Sequence, residues 1–225
     1  MKSAKNYSKW LFELVKSHVG KRVLEIGPGV GNITHQVIGQ VDLLVGVEPN
    51  QYCADVLHQS LIADPRFVLI NSSVENSDFT ALKGYKFDTV LCINVLEHIE
   101  DDVATLQLFE RLLEPGGKVI LLVPACPQAY GPIDKAVGHF RRYSKLSLMK
   151  SLERTTFETE AFYYSNLLGL LGWLFNAKIR KSTSQSDGQI KVFDKVVPLV
   201  SFLEKELGCP AGLSLISVSR KKNEK

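Results

Sequence analysis

The sequence predicts a doubly wound α/β sheet of mostly parallel strands, and three observations carry that prediction. Apolar runs at Arg22–Ile26, Leu43–Val47, Phe67–Ile70, Thr89–Ile93 and Lys118–Val123 are rich in Val, Ile and Leu at consecutive positions, as strands buried on both faces must be. Between them lie amphipathic stretches near Ile33–Ile38, Gln51–Gln59 and Asp102–Leu113. Strand–helix alternation over about 100 residues builds a layered α/β domain. Finally, the first run ends in Gly27-Pro28-Gly29-Val30-Gly31, a turn that lets backbone approach a ligand closely.

The flanking elements follow the same rules. Tyr7 to Val19 reads as an extra helix ahead of the first strand. The helix at Asp102–Leu113 opens on acids and stops at Glu114-Pro115-Gly116-Gly117, which reads as a turn. After Pro124 the periodicity fades through residue 145, where turn residues are frequent. A helix at Leu146–Arg154 follows, capped by Ser144 or Ser147. Then come a strand at Glu158–Tyr164, an apolar helix near Leu167–Ile179 and a polar loop at Lys181–Gly188. A helix through Val196–Leu207, started or kinked by Pro198, and a strand at Ser214–Ser219 complete the pattern. A length of 225 residues without an evident linker suits one domain over 1–225, with cap elements within 124–182.

Composition excludes several classes. The four cysteines, Cys53, Cys92, Cys126 and Cys209, form no C-x-x-C pair and histidine is sparse. A disulfide framework or structural zinc is therefore not expected, and reduced thiols in a cytoplasmic protein are the simpler reading. The N-terminal stretch has no continuous apolar segment of signal-peptide type, and the longest apolar run, Leu167 to Phe175, is too short to span a bilayer. Charge is uneven: residues 1–125 carry 11 Lys+Arg against 15 Asp+Glu, and residues 126–225 carry 16 against 9. The second half either has a solvated basic surface or faces something anionic, a phosphorylated substrate or a membrane surface.

The glycine turn is spaced G-x-G-x-G, so the dinucleotide fingerprint G-x-G-x-x-G fails at its third glycine. Glu25 precedes the first glycine, where a carboxylate suits a cationic or amino group and repels a pyrophosphate. Glu48 ends the next apolar run, 17 residues past Gly31. A carboxylate there accepts from two ribose hydroxyls; the alternative is a cap for the helix beginning near Asn50.

With these residues in view, the chain resembles class I S-adenosylmethionine-dependent methyltransferases of the small-molecule and ubiquinone-pathway group. Four blocks match in order: VLEIGPGVGN, GVEPN, FDTVLCINVLEHIEDD and LLEPGGKVILLVPA. NYSKWLFELV and GHFRRYS also look familial. The resemblance implies a Rossmann-like sheet of seven strands with the last antiparallel, and S-adenosylmethionine as cofactor. It implies that Gly27, Gly29 and Gly31 face the methionine part, that Glu25 holds its ammonium, and that Glu48 takes the ribose with Pro49 and Asn50 beside the adenine. Asn94 and Val95 would line the methionyl side, and Tyr7 in the familial N-terminal segment joins the cofactor set. Where many relatives place an Asp against the adenine, this chain has Ser72 and Ser73 with Val74 behind them, so a hydroxyl or backbone group would serve.

Methyl transfer needs an aligned nucleophile and a proton acceptor. In GHFRRYS, His139 is the candidate base, with Asp134 to orient it. Arg141 and Arg142 suit a carboxylate or phosphate, and Tyr143 a place over cofactor or substrate. The alternative sets one Arg against a sheet-end acid and packs Tyr143 before the helix. His98 either approaches the substrate or hydrogen-bonds within its own loop. The apolar run Asn166–Phe175 with Lys178, Arg180 and Lys181 reads as a core helix first, and second as a lid touching an anionic bilayer or admitting a lipid-linked acceptor. No metal cluster is visible in the spacing. The competing functions are a nicotinamide-dependent oxidoreductase, which the glycine spacing disfavours, and a non-catalytic partner that kept the binding fold. Nucleic acid is not favoured as substrate, because an Asn/Asp-Pro-Pro-aromatic motif is absent. The reading is a small-molecule methyltransferase acting on oxygen, nitrogen or carbon.

Overall fold

The structure is a computed structural model that describes residues 4–175 and 187–223. Seven strands form one sheet: β1 (Arg22–Ile26), β2 (Leu43–Val47), β3 (Phe67–Ile70), β4 (Phe87–Ile93), β5 (Leu113–Pro124), β6 (Phe157–Ser165) and β7 (Ser214–Lys221). Their order is β3-β2-β1-β4-β5-β7-β6, with β7 antiparallel to both neighbours, as expected. The order reverses direction at β1 and β4, and the carboxyl ends of these strands open the crevice where ligands bind in such sheets.

The helices are α1 (Lys5–Val15), α2 (Thr34–Val37), α3 (Gln51–Leu61), α4 (Phe79–Lys83), α5 (Asp102–Leu112), α6 (Pro132–Ala136), α7 (Lys145–Leu152), α8 (Leu167–Leu174) and α9 (Asp187–Leu207). Both sheet faces are covered, which explains the continuous apolar runs. On one face Leu24, Val90, Cys92 and Leu121 pack with Leu106 and Phe109 of α5 and Leu148 of α7. On the other, Val23, Leu44, Leu91, Ile120 and Ile216 pack with Phe12 and Val15 of α1, Val37 of α2 and Leu57 of α3.

Three local readings change. Glu114-Pro115-Gly116-Gly117 does not separate helix from strand by a free turn. Leu113 already pairs with Phe87, and the register shifts before Lys118 meets Thr89, so these four residues bulge within a longer β5, with Gly116 at φ +76°. The helix expected at Ile33–Ile38 is shorter, because residues 38–40 tighten into a 3-10 turn. The last helix starts nine residues before Val196 and carries Pro198 inside it. That proline has no N–H for the carbonyl of Asp194, and the Asn6 side-chain amide donates to that oxygen instead (3.0 Å). Ser144 is the cap of α7, exchanging hydrogen bonds with Ser147.

α9 also holds two other helices by their amino ends. Asp194 accepts from the backbone N–H of Tyr7 (2.9 Å) at the start of α1, where Ala4 provides no side-chain cap. Glu204 accepts from the N–H groups of Asn166 and Leu167 (2.9 and 2.8 Å) at the start of α8. Each carboxylate satisfies helix-start donors that the local sequence leaves open. The expected end of the apolar helix beyond residue 175, the basic residues Lys178, Arg180 and Lys181, and most of the expected loop at 181–188 lie outside the described residues. No helix among the described residues is long and apolar enough to cross a membrane.

Candidate active site

The glycine turn is built at the carboxyl end of β1. Gly27 has φ +64°, and a Cβ there would lie 2.5 Å from a methyl of Val95, so this position admits no side chain on two counts. Gly29, also at positive φ, has nothing within 4 Å of its Cβ position; its outer side is open. The amide of Gly29 donates to Glu48 Oε2 and that of Asn50 to Oε1, both at 2.8 Å. Glu48 therefore joins the glycine turn to the start of α3 while Asn50 caps that helix through Cys53 N–H. The two readings of Glu48 are not exclusive: each oxygen keeps a further acceptor direction after its amide.

Glu25 is buried, and its Oε2 has no hydrogen-bond partner among the described residues. Burial raises its carboxyl to about 7, with the Thr34 hydroxyl opposing and the charge of Glu48 adding to the rise. A buried acid with an orphaned oxygen beside an open glycine turn fits an ammonium group. Next to it, Asn94 takes the left-handed conformation (φ 53°) while its N–H donates to Leu122 O (2.8 Å), so the chain swings out of β4 and delivers Val95 onto Gly27. Ser72 and Ser73 follow β3, half-buried; the Ser72 hydroxyl donates to Ser73 O, and Val74 is buried behind them.

Beside Asn94 lies a cavity of about 1160 Å³. Its polar floor includes Asn94, Glu97, His98, His139 and Arg142, and its walls are largely apolar side chains of α8 and α9. Asp134 is fully buried and holds this floor together. Its Oδ1 binds His139 Nδ1 (2.9 Å) and accepts from Arg142 Nε (2.8 Å), while Oδ2 accepts from Gly131 N–H (2.9 Å). Burial alone would raise the Asp134 pKa, but the bond from His139 and the charge of Arg142 hold it below the usual carboxylate range. Arg142 also donates to Ala125 O (3.0 Å) and stacks on Trp173, 4.3 Å from the ring centroid.

With Nδ1 turned to Asp134, His139 has Nε2 left for the cavity side, 3.9 Å from Glu97 Oε1. The rings of His98 and His139 meet edge to face at 4.6 Å. Burial, reinforced by His139, lowers the His98 pKa. Glu97 is nearly inaccessible, its Oε2 is without a partner among the described residues, and burial lifts its carboxyl to about 8. Ligand-type atoms of Glu97, His98 and His139 lie within 4.8 Å of one another, a grouping able to hold a metal ion. Sequence spacing gave no sign of it, because residues 97–98 and 139 meet only when β4 and the segment after β5 are side by side. Glu97 and Trp173 carry no motif or spacing in the sequence that marks them as site residues.

Two expected site residues are corrected by their surroundings. Tyr143 is buried in the core, its hydroxyl donating to Asp102 Oδ2 (2.9 Å) and its N–H to Pro124 O; it packs before α7 and does not line the cavity. Arg141 pairs with Asp102 (3.3 Å) and donates to Glu100 O, so it is the arginine facing an acid, turned from the cavity floor. Tyr7 does line the cavity, held by Asp194 through its backbone.

Comparison with known proteins points the same way. Residues 4–161 match a family described as a methyltransferase domain. The chain is similar to the ubiquinone biosynthesis O-methyltransferase of Histophilus somni (strain 2336), 29% identical over 102 residues, covering 43% of this chain and 42% of that protein. The match thus spans less than half the length of that relative. The fold is similar to a SAM-dependent methyltransferase from Archaeoglobus fulgidus (TM-score 0.63, 17% identity, 97% of this chain and 95% of that one). It is also similar to the N-methyltransferase NodS from Bradyrhizobium japonicum WM9 in complex with S-adenosyl-L-homocysteine (TM-score 0.61, 12% identity, 98% and 87%).

Proposed function

The chain belongs to the methyltransferase domain family, and on that premise we propose that it transfers the methyl group of S-adenosylmethionine to a small-molecule acceptor in the cavity beside Asn94 and His139. The observation that carries this reading is the pairing of an open glycine turn with two acids of opposite character. Glu25 is buried with an orphaned oxygen, suited to an ammonium. Glu48 is an amide-anchored carboxylate with acceptor directions to spare, suited to ribose hydroxyls. Pro49 and Asn50, with Ser72, Ser73 and Val74 across the strand ends, flank the adenine end, while Gly27, Gly31, Asn94 and Val95 shape the methionyl end and Tyr7 closes it. S-adenosylmethionine, when bound, supplies an electrophilic methyl group for in-line displacement.

The chain's own work is to hold the acceptor and move its proton. Asp134 takes the Nδ1 side of His139, which leaves the Nε2 lone pair as general base. Arg142 presents its charge to the cavity while its buried Nε is held by Asp134, which suits an acceptor with an anionic substituent. His98 stands against the base and lines the same floor. The name of the Histophilus somni relative supports oxygen as the acceptor atom. The four free cysteines fit a cytoplasmic enzyme.

Calorimetry with S-adenosylhomocysteine and with NAD tests the assignment. Binding of the first and not the second is expected, with Glu48→Ala weakening it by about tenfold or more, the loss of one strong hydrogen-bonded contact. Binding of NAD alone would sink the reading.

A further inference from the structure

Glu97 has no part in cofactor binding or proton removal, and its surroundings leave it unsatisfied. It is 1% exposed, yet it lines the acceptor cavity, and its Oε2 has no partner among the described residues. A carboxylate buried in that way calls for a cation or a hydrogen-bond donor. The charge of Arg142 acts on it, but that guanidinium is bound to Asp134 and Ala125 and lies on Trp173. What faces Glu97 is imidazole. His139 Nε2 is 3.9 Å from Oε1, the His98 ring stands against that of His139, and ligand-type atoms of all three residues lie within 4.8 Å of one another.

The three residues are held from two directions. Glu97 and His98 sit on the 3-10 turn Leu96–His98 that follows β4, and His139 on the segment after α6. The N–H of Phe140 donates to Glu97 O (2.8 Å), which ties the two segments together at the cluster. Buried Asp134 fixes the Nδ1 side of His139 (2.9 Å), so Nε2 is turned toward Glu97. A carboxylate behind a histidine whose far nitrogen is presented is the arrangement that orients the ring toward a metal ion. Two donors bound to one tetrahedral ion lie roughly 3.4 Å apart, so the Glu97–His139 gap of 3.9 Å needs only a small side-chain rotation to close. His98 is exposed and His139 half-buried, which leaves an entry path. Two imidazoles and one carboxylate suit zinc and its neighbours, whereas magnesium and calcium take oxygen ligands. Glu97 and Asp134 against Arg142 leave one net negative charge beside the ion. We propose that Glu97, His98 and His139 bind a divalent transition-metal ion of the zinc type at the cavity floor, with a coordination position open toward the acceptor. That open position rests on reading the cavity as the acceptor's; the three ligands do not. The Nε2 lone pair that acts as base in the ion-free chain is a ligand here, so the two uses of His139 alternate.

Calorimetry of the full chain, treated with EDTA and dialysed, with zinc chloride as the probe tests the proposal. One ion per chain with a micromolar or tighter Kd is expected. Glu97→Gln and His98→Ala should each weaken it at least about tenfold, with circular dichroism confirming that both variants fold. X-ray absorption at the zinc edge reads the site in the wild type alone, and two imidazoles in the coordination shell are expected. Failure of zinc to bind, or a shell with fewer than two imidazoles, overturns the proposal. So does binding that either variant leaves unchanged, as a surface site at His35 or His58 would give.

Discussion

Glu25 is an acid kept where water cannot reach it, and this has a consequence for pH. Folding raises the Glu25 pKa from 4.5 to about 7, so the folded chain holds that proton more tightly than the unfolded one. The stability this brings is complete below about pH 4.5 and is lost as pH rises through 7, amounting to about 3 kcal/mol. In the absence of ligand, Glu25→Gln should match the wild type near pH 5 and exceed it near pH 8, measured by urea midpoints at each pH. Equal midpoints at both ends would show that the carboxyl is hydrated. Asp134 behaves in the opposite sense: its pKa is depressed, so its contribution is present at neutral pH and is lost as pH falls through the folded-state value. Asp134→Asn leaves the buried Arg142 without its counter-charge and should cost about 3–5 kcal/mol. His139→Gln should instead leave stability and S-adenosylhomocysteine affinity near wild type while lowering kcat about 100-fold or more. Full turnover in that variant would remove His139 as base.

At the scale of elements, α9 is the organiser that local sequence concealed. Strands β1 to β4 were legible because burial on two faces writes itself as unbroken Val, Ile and Leu. α9 was read nine residues short because Pro198 signals a break, and the group that compensates for the missing N–H is Asn6, at the other end of the chain. The caps that Asp194 and Glu204 supply to α1 and α8 are equally remote in sequence. The Asp134–His139 pair was legible, five residues apart on one loop. Glu97 was hidden, since its approach to His139 depends on strand adjacency. Likewise Tyr143 looked like a pocket residue from its neighbours and was claimed by Asp102 in α5. Glu204→Ala should destabilise by about 1–2 kcal/mol, as loss of a helix cap does. Because α8 carries Trp173 over Arg142, it should also raise KM for the acceptor more than it lowers kcat. Steady-state kinetics beside denaturation would separate the two effects.

At the scale of the whole molecule, two cores share one sheet and differ in what they support. The core with α5 and α7 holds Tyr143 and reaches the Gly27 side of the glycine turn through Ile26 and Val95, while the other reaches its Gly31 side through Ile33 and Leu57. Leu121, buried in the first, should cost about 2–5 kcal/mol on truncation to Ala. Cofactor-analogue affinity measured by calorimetry at low temperature should be retained, as Leu121 lies in β5 and the glycine turn follows β1, with β4 between them.

The place of β7 between β5 and β6 bears on how the chain emerges from a ribosome. β6 is synthesised some fifty residues before β7, its neighbour among the described strands, and α1, made before all of these strands, waits for residue 194 to close its amino end. Strands β1 to β5 can pair in the order they are made, whereas β6 must wait for a late strand to slot in beside it, a contact of high sequence separation that slows assembly. The half that binds the cofactor should therefore be complete while the acceptor side is still open. Pulse-labelled hydrogen exchange during refolding should find β1 and β4 amides protected before those of β6. A nascent chain arrested before residue 214 should already respond to S-adenosylhomocysteine with reduced proteolysis.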